Sequence, residues 1–437
     1  MKLAILLSGG KDSLYATFLA KQTDEVNCAI TIKSENKESY MYHTPNIDLV
    51  ELQAKAMNLP LLIKTTKGEK EKELDELVEA IKEAKEKYQI EGVITGAVRS
   101  QYQASRVQRI CSELDLYCFN PLWQQDQVEL LNELIENNFE VIIGGVFAYP
   151  FEKEWLGKKI TPEIISKLIE YQKKYEINPA GEGGEIETIV TDCPLFSKRI
   201  EIQKSETNYK NYAGTFEIIK AELKNKPEQI KNKTTRKEIK NTGEDVLIIN
   251  TINKNMNLYD LEFIRPISDL ITKAGKTFFV KHISKIDGTE KIKTNKVIIA
   301  GTTYQDNQFL KFENNIKNIT KTENEILGIC AGMELLLISE NENQETKIEL
   351  EMIKEIGPTI VESLNESELT EDLDGTECYF LHQKGIRTIN PNIKNIKATM
   401  ATKKGIAGIE FSNKKWTGLQ FHPEVNHKKI ITKFLEK

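Results

Sequence analysis

The sequence predicts an α/β protein built from two domains with parallel sheets. Short apolar runs alternate with helical patterns, as in repeated strand–helix units. This alternation starts twice, with LAILL at Leu3–Leu7 and with VLIIN at Val246–Asn250, and a polar stretch lies between the two halves. In the first half, helical patterns cover Asn46–Met57 and Glu69–Tyr88. Parallel sheets bind ligands at the carboxyl ends of their strands, so functional residues are expected in the loops there.

Composition limits the class of protein. A chain of 437 residues is too long for one ordinary core, and its 39% hydrophobic and 29% charged residues indicate a globular protein in solution. The formal charge of −6 gives no reason to expect direct nucleic-acid binding. The apolar run near the N-terminus is too short for a signal peptide or a membrane span, so no membrane association is expected.

The six cysteines predict a reducing, cytoplasmic location. They lie far apart and form no C-x-x-C pair, which argues against a zinc site and a disulfide framework. No pattern in the sequence indicates the oligomeric state.

The first apolar run leads into a glycine-rich loop that predicts a phosphate site. The loop, SGGKDS, consists of Ser8, Gly9, Gly10, Lys11, Asp12 and Ser13. Its glycines let the backbone approach phosphate oxygens, and free N–H groups at a helix N-terminus attract anions. The serines add hydroxyl donors, Lys11 adds a positive charge and Asp12 is a candidate magnesium ligand. The alternative is a Gly/Ser turn with an incidental lysine.

SGGKDS lacks the spacing of a Walker A loop and resembles the PP-loop of ATP pyrophosphatases, which cleave ATP to AMP and pyrophosphate. The resemblance implies ATP and Mg²⁺ as cofactors and an adenine nucleotide alpha hydrolase-like fold. It also implies that the end of a second strand, Glu25–Ile32, faces the adenine, with Ile30 among the contacts. Gly96, after the run Gly92–Thr95, is expected to let the backbone approach the nucleotide, with a plain turn glycine as the alternative.

An acidic turn late in the first half supplies further candidates. Glu182, Glu185 and Glu187 place three carboxylates around Gly183 and Gly184, which predicts contact with magnesium or another cation. The alternative is a solvated acidic turn.

Basic and aromatic candidates follow Gly96. Arg99 and Arg106 are spaced by about two helical turns, so they are expected to share one helix face that suits phosphates or an adenylate. Tyr102 and His43 are weaker candidates. The alternatives are surface salt bridges for the arginines and a structural role for the histidine.

Four segments of the first half resemble the diphthine–ammonia ligase family: MYHTPN (41–46), TGAVRSQYQASRVQRIC (95–111), NPLW (120–123) and GEGGEIETIVTDCPLF (181–196). The resemblance runs from Met1 to about Leu223. It implies that ATP activates the carboxylate of diphthine, on translation elongation factor two, as an acyl adenylate, and that ammonia displaces AMP to give diphthamide. The trimethylammonium group of diphthine would then be the cation near the acidic turn. The implied acceptor-binding residues are Arg99, Tyr102, Arg106, Glu182, Glu185 and Glu187.

A polar stretch rich in Lys, Asn, Thr and Glu separates the two halves. It cannot bury enough apolar surface to fold alone, so it is predicted to be a linker. The predicted organisation is an ATP-binding domain at 1–125, an α+β acceptor-binding subdomain at 126–224, the linker at 225–245 and a further domain at 246–437.

The second half contains a predicted nucleophile. ILGICAGME places Cys330 between a strand and a helix, with small residues around it that permit a sharp turn. The turn exposes the sulfur at a helix N-terminus, which favours the thiolate. The later segment FHPE supplies His422 as base and acid, and Glu424 to orient the imidazole. A buried structural cysteine is the alternative.

GICAGME followed by FHPE resembles a class I glutamine amidotransferase, and most of all the glutaminase domain of GMP synthetase. The resemblance implies a flavodoxin-like fold, glutamine as the ammonia donor, and Cys330, His422 and Glu424 as catalytic residues.

Three positions depart from that amidotransferase pattern. The usual Gly-Gly-Pro turn reads Ala300-Gly301-Thr302-Thr303, and Thr302 resists a positive φ. Glu334 stands where glutamine is usual, and Lys384 belongs to a Gln-Lys pair where Ser-Asp is common. These departures predict altered substrate binding in a glutaminase that is still active.

The two halves together predict a ligase that draws its ammonia from glutamine. GMP synthetase is one rival, although its usual domain order is the reverse and it lacks GEGGEIET; xanthosine monophosphate as acceptor would reveal it. A tRNA-modifying PP-loop enzyme is disfavoured, because the first half has no basic extension and no catalytic cysteine pair. The third rival is a ligase whose C-terminal domain is an inactive docking module, which a glutaminase assay would identify.

Overall fold

The computed structural model of the chain describes residues 1–35, 46–67, 73–226, 239–286, 292, 294–319, 323–340 and 347–436. The chain forms two compact units, the first from Met1–Gln103 and Glu113–Lys237 and the second from Ala104–Ser112 and Glu238–Lys437. Both units combine helices with a sheet that is wholly or partly parallel, so the predicted α/β class is confirmed. His43 and residues 227–238 of the predicted linker lie outside the described residues.

The central sheet of the first unit has five parallel strands. They are β1 (Lys2–Leu6), β2 (Glu25–Ser34), β3 (Leu61–Thr66), β4 (Gly92–Ile94) and β5 (Tyr117–Phe119). Their order across the sheet is β3-β2-β1-β4-β5. The chain order reverses direction at β1, and open parallel sheets bind ligands at the carboxyl end of such a strand.

Six helices lie among the described residues from 11 to 175, and most of the fourth belongs to the second unit. They are α1 (Lys11–Ala20), α2 (Val50–Met57), α3 (Glu73–Tyr88), α4 (Gln101–Glu113), α5 (Gln127–Glu136) and α6 (Pro162–Tyr175). The side chain of Asp126 caps α5 and that of Thr161 caps α6, each by accepting backbone N–H bonds. The predicted helix at 46–57 begins with a 3₁₀ turn, Ile47–Leu49, and is α-helical only from Val50.

A second sheet in the first unit is antiparallel. It consists of β6 (Glu140–Val146), β7 (Ile186–Asp192), β8 (Lys198–Lys210) and β9 (Ala213–Asn225), in the order β7-β6-β9-β8. Together with α5 and α6 it forms the α+β part that the sequence predicts. The acidic glycine turn lies directly before β7.

Ten strands lie among the described residues of the second unit. They are β10 (Val246–Asn250), β11 (Phe278–His282), β12 (Lys296–Ile299), β13 (Glu325–Ile329), β14 (Glu351–Ile360), β15 (Glu362–Ser363), β16 (Glu377–Gly385), β17 (Ile396–Ala401), β18 (Ile406–Phe411) and β19 (Trp416–Leu419). The main sheet has the order β11-β10-β12-β13-β19-β18-β17-β15, and β14 pairs with β16 in a separate ribbon.

Five strands of this main sheet, from β11 to β19, are parallel, and the other three extend it in antiparallel fashion. The sheet is therefore mixed, where the sequence predicted a parallel one. The physical reason is that β17, β18 and β19 follow one another through short turns, whereas parallel neighbours need a long crossover.

The helices described in the later part of the chain are α7 (Arg265–Lys273), α8 (Glu313–Ile319), α9 (Ala331–Ser339), α10 (Pro423–Asn426) and α11 (Lys429–Glu436). Every residue of α9 is buried, because this helix packs within the core of the unit. Among the helices of the described ranges, none has the length and apolar character that crossing a bilayer requires.

Candidate functional site

The SGGKDS loop lies between β1 and α1, at the carboxyl end of the central strand. Gly9 has a φ of 85°, in the left-handed region that side chains disfavour, so glycine is needed there. Gly10 is extended and immediately precedes α1. The hydroxyl groups of Ser8 and Ser13 are hydrogen-bonded to each other at 3.1 Å. Loop and helix start together form the kind of backbone site that binds anions.

Lys11 and Asp12 are paired in the first turn of α1. Nζ of the buried Lys11 donates to Oδ2 of Asp12 at 2.8 Å and to the carbonyl of Ala180 at 2.6 Å. Oδ1 of Asp12 is buried and has no hydrogen-bond partner within the described part of the chain. A carboxylate oxygen without a partner suits a hard cation such as Mg²⁺, so Asp12 fits the predicted metal role.

The two other residues predicted to contact the nucleotide, Gly96 and Ile30, are both packed against neighbouring backbone. A Cβ on Gly96 would lie 2.7 Å from the backbone nitrogen of Ser13, so this glycine permits a close approach to the first turn of α1. Ile30 is 1% exposed within β2, and its carbonyl accepts a bond from the Leu7 N–H. Contact of either residue with a nucleotide stays a prediction.

The three glutamates of the acidic turn occupy three different environments. Glu185 is used inside the turn, because its carboxylate accepts bonds from the N–H and amide of Asn178 and from the N–H of Gly183. Oε2 of Glu182 accepts a bond from the backbone N–H of Arg99 at 3.0 Å. Glu187 lies in β7, and its buried Oε2 has no hydrogen-bond partner among the described residues.

Two of these carboxyl groups have pKa values that burial raises towards neutral pH. Burial, followed by the charge of Asp12, raises the pKa of Glu182 to about 7 against the opposing charge of Lys11. Burial raises the pKa of Glu187 to about 7. A cation brought next to either group would stabilise the charged form. Across the described residues, however, no three or more His, Cys, Asp or Glu side chains are placed to hold a metal ion together.

The predicted arginine face does not exist. Helix α4 begins at Gln101, so Arg99 precedes it and cannot share a helix face with Arg106. The spacing of the two residues suggested one continuous helix, but the chain at 98–100 bends before the helix starts. Tyr102 and Arg106 lie within α4. The acceptor-binding roles of these residues stay predictions.

Cys330 occupies a strained turn between β13 and α9. Its φ of 52° and ψ of −107° are unusual for a residue with a side chain, so the turn stores strain. The backbone N–H donates to the carbonyl of Leu419 at 2.7 Å, and Sγ lies 3.6 Å from the carbonyl oxygen of Leu381. A Cβ on Gly332 would collide with the carbonyl of Ile299, which explains why glycine stands two residues after the cysteine.

His422 and Glu424 form a buried pair beside this turn. Nδ1 of His422 lies 2.7 Å from Oε1 of Glu424, and both side chains are 2% exposed. Burial alone would lower the pKa of His422, but the charge of Glu424 and the interaction with Cys330 raise it to about 10. A Cβ on Gly301 would lie 2.6 Å from Cε1 of His422 and 3.2 Å from Cβ of Cys330, which places the imidazole and the thiol side by side.

Comparison with known families divides the chain into three matches. Residues 1–118 match the diphthamide synthase N-terminal domain, residues 126–223 match the diphthamide synthase C-terminal domain, and residues 258–437 match the class-I glutamine amidotransferase family. The diphthine–ammonia ligase of Rattus norvegicus is 37% identical over 225 residues, which cover 47% of this chain and 84% of the rat protein.

The chain belongs to the diphthine–ammonia ligase family.

Two further relatives show how far the similarity extends. The diphthine–ammonia ligase of Saccharomyces cerevisiae is 26% identical over 443 residues, covering 84% of this chain and 63% of the yeast protein. A glutamine-hydrolysing GMP synthase of Oceanobacillus iheyensis is 29% identical over 175 residues, covering 38% of this chain and 32% of that protein. The resemblance to both families that the motifs suggested is thereby confirmed.

In this member of the diphthine–ammonia ligase family, the structure accommodates two of the residues that depart from the amidotransferase pattern, Thr302 and Glu334. Neither Gly301 nor Thr302 has a positive φ, so the objection to threonine in the turn does not apply. Glu334 is 3% exposed, and its Oε1 accepts a bond from the amide of Gln420 at 3.1 Å. Burial raises the pKa of Glu334 to about 8 against the lowering effects of Gln420 and Lys384, so the side chain is neutral at pH 7.

Two residues that the sequence analysis did not identify, Gln53 and Thr188, also contact the SGGKDS loop. The amide of Gln53, from α2, donates to the carbonyls of Gly9 and Val190, each at 2.9 Å. The hydroxyl of Thr188 accepts a bond from the N–H of Lys11 at 3.2 Å. Gln53 carries no local signal, whereas Thr188 is the last residue of GEGGEIET and could have been found through that motif.

Proposed function

We propose that the chain is a glutamine-dependent diphthine–ammonia ligase that amidates diphthine on translation elongation factor two. In this proposal, residues 1–125 bind ATP, residues 126–224 bind the acceptor, residues 225–245 link the halves and residues 246–437 hydrolyse glutamine. The reaction takes place in the cytoplasm, where a chain with six free, buried cysteines remains reduced. Membership of the ligase family supports the acceptor reaction, and the amidotransferase match supports the ammonia source.

The observation that carries the glutaminase half is the Cys330 turn. A cysteine in a strained strand-to-helix turn, next to a buried His–Glu pair, is the arrangement of a nucleophile with its acid and base. Because the family's reaction consumes ammonia, a site that can release it from glutamine has a direct purpose in the same chain.

In the ligase half, a carboxylate oxygen of diphthine attacks the α-phosphorus of ATP, and pyrophosphate leaves. The nitrogen of ammonia then attacks the acyl carbon, AMP leaves, and one proton is released as the amide forms. The SGGKDS backbone and Lys11 hold the phosphates in this scheme. Mg²⁺ would be held by Asp12 and would offset the charge of the phosphates. The carboxyl groups of Glu182 and Glu187, whose pKa values are raised by burial, would release any bound proton to water and carry their charge when they face the trimethylammonium group.

In the glutaminase half, Sγ of Cys330 attacks the carboxamide carbon of glutamine as the thiolate, and the thiol proton is held by His422, whose pKa is raised to about 10. His422 then gives that proton to the departing nitrogen, so that ammonia leaves and a thioester remains. Water attacks the thioester with His422 as base, and glutamate and the free thiol are formed. Glu424 stabilises the imidazolium throughout. The first N–H of α9 and the Gly301–Thr302 turn are the candidate donors to the oxyanion.

The test is the complete reaction with the full-length protein. ATP, Mg²⁺, glutamine and diphthine-bearing elongation factor are combined, and the modified histidine is followed by mass spectrometry. We expect conversion of the carboxylate to the amide with formation of AMP, pyrophosphate and glutamate. Release of ADP and phosphate instead would contradict the pyrophosphatase assignment, and amidation of xanthosine monophosphate would indicate the GMP synthetase alternative.

The remaining alternative is a ligase whose C-terminal domain is an inactive docking module for the elongation factor. The neutral state of Glu334 and the unstrained Thr302 argue against it. Amidation with ammonium but never with glutamine would favour it.

A further inference from the structure

The strand that follows the acidic turn, β7, packs directly against the SGGKDS loop. The N–H of Val190, in β7, donates to the carbonyl of Gly9 at 3.3 Å. On the same strand, the hydroxyl of Thr188 accepts the N–H of Lys11, and a Cβ on Gly10 would lie 3.3 Å from the carbonyl of Thr188. The loop therefore rests directly on β7, which the sequence linked only with the acceptor.

A buried glutamine completes this contact. Gln53 is fully buried, and its Nε2 donates to the carbonyls of Gly9 and Val190, so one amide joins the loop to the strand. Its orientation is fixed, because two carbonyl oxygens accept only from an N–H group. Oε1 consequently faces the other way, has no hydrogen-bond partner within the described ranges, and lies 3.1 Å from where a Cβ on Gly9 would be.

We propose that Thr188 and Gln53 are positioning residues for ATP, which hold the SGGKDS loop in its phosphate-binding shape, Thr188 from β7 outside the ATP-binding domain and Gln53 from α2 within it. The inference rests on the proposed function in that the loop is taken to bind ATP. Gly9 has a left-handed backbone, and a glycine in a loop is free to adopt many other conformations. The contacts with Thr188 and Gln53 select one of these before the nucleotide arrives, which reduces the ordering cost of binding.

The arrangement also assigns a second task to GEGGEIET. Glu182 and Glu185 precede β7 and Glu187 lies within it, whereas the final threonine contacts the SGGKDS loop. ATP affinity should therefore depend on a residue of the diphthamide synthase C-terminal match, at 126–223, as well as on the N-terminal match, at 1–118.

The experiment compares Thr188→Val, Thr188→Ser and Gln53→Met in the full chain. Binding of Mg²⁺ and α,β-methylene ATP, which cannot be cleaved at the scissile position, is measured by calorimetry. Valine keeps the shape of threonine but removes the acceptor, so we expect the dissociation constant to rise about fivefold to tenfold, as for one lost hydrogen bond. Serine keeps the hydroxyl and should bind within about twofold of the wild type. Gln53→Met should weaken binding in the same manner.

Thr191→Val is the matched control. Thr191 lies on the same strand and is also buried, but its hydroxyl donates to Glu140 at 2.8 Å and not to the loop. It should lower the thermal stability without changing nucleotide affinity. In turnover assays, Thr188→Val should raise KM for ATP more than it lowers kcat, which a general loss of folding would not do.

The outcomes separate this inference from the proposed function. Wild-type protein that fails to bind the analogue would overturn both. Wild-type protein that binds it, together with Thr188→Val and Gln53→Met variants of unchanged affinity, would overturn the inference alone. Equal weakening by Thr188→Val and Thr191→Val would show a structural effect and would also overturn it.

Discussion

The SGGKDS loop and the Cys330 turn have the same architecture and different backbones. Each follows a strand whose neighbours are parallel and precedes a helix, α1 in the first unit and α9 in the second. Each also contains a residue with positive φ. In the first loop that residue is Gly9, at 85°, and in the second it is Cys330, at 52°. One site relieves the conformational strain with a glycine, and the other keeps it.

The difference follows from what each site must present. An anion is bound by backbone N–H groups, so a side chain at the left-handed position would only obstruct it. A nucleophile is itself a side chain, so the turn has to tolerate a Cβ at an unfavourable φ and ψ, at a cost of about 1–3 kcal/mol. The neighbouring small residues absorb part of the crowding, as Gly332 does against Ile299.

The sharpest test of this comparison is to remove each chemical group in turn. Cys330→Ala should lose glutaminase activity and glutamine-dependent amidation by about 10³-fold or more, because the amide of glutamine needs a nucleophile. Ammonium at raised pH should still be used at nearly the wild-type rate, since it enters after that step. His422→Ala should behave similarly. Activities are measured as glutamate release and as amide formation on the acceptor.

Cys378→Ala is the control for that experiment. This cysteine is fully buried in β16, and burial raises the pKa of its thiol to about 12, so it is not a nucleophile at neutral pH. Its removal should leave both routes intact. A Cys330→Ala variant that uses glutamine as well as the wild type does would rule out the proposed nucleophile.

The corresponding change in the first loop should affect both nitrogen donors. Asp12→Asn keeps the shape of the side chain and removes its charge, and Lys11→Ala removes the positive partner. Each should lower AMP and pyrophosphate formation by about 100-fold, because charge stabilisation at the phosphates is lost in the transition state. Asp48→Asn, at a side chain 87% exposed, is the control. Loss of only the glutamine route would place Asp12 outside the ligase reaction.

The acidic turn should show a smaller effect that differs between its members. Glu182 contacts the Arg99 N–H near the loop, whereas Glu185 is bound within its own turn. Glu182→Gln should therefore lower kcat for amidation by about tenfold at unchanged stability, and Glu185→Gln should lower both activity and thermal stability. Kinetics and calorimetry distinguish these patterns. If neither change, nor the two combined, alters amidation, the turn is structural.

The parts that could be predicted from sequence are those with a local cause. Ser8–Ser13 and the turn at Cys330 each combine a strand, small residues and a helix within one short stretch, so the site type can be identified without the fold. The roles of Glu185 and Gln53 could not be predicted, because they depend on partners that only folding brings near. The helix face predicted for Arg99 and Arg106 was wrong for a local reason, since spacing alone did not reveal that α4 begins at Gln101.

Stability provides a direct measure of the strain difference between the two loops. Cys330→Ala and Cys330→Gly both remove the thiol, but only glycine accepts a φ of 52° and a ψ of −107° without strain. After the entropic cost of glycine in the unfolded chain is subtracted, Cys330→Gly should be more stable than Cys330→Ala by about 1 kcal/mol. Urea unfolding measures this difference. The reverse order would show that the turn is not strained.

The last test concerns Glu334, which lies one helical turn after Cys330, its N–H donating to the cysteine carbonyl. Burial raises the pKa of Glu334 from its ordinary value of 4.5 to about 8 in the folded protein. An acid whose pKa is raised on folding adds stability that is full below 4.5 and is lost as the pH rises through about 8. The wild type should therefore lose about 1 kcal/mol relative to Glu334→Gln between pH 7 and pH 9.

Glutaminase activity should depend on the same protonation of Glu334. At pH 7 the carboxyl group is neutral and accepts the Gln420 amide, so it resembles the glutamine that is usual at this position. Glu334→Gln should then match the wild type at pH 7 and exceed it above pH 8, where the wild-type side chain gains a buried charge that Gln420 and Lys384 offset less than burial opposes it. Parallel pH profiles of the two proteins would show that Glu334 does not titrate in this range. A large gain for Glu334→Gln already at pH 6 would mean that the glutamate itself had weakened the glutaminase, and the docking-module alternative would be strengthened.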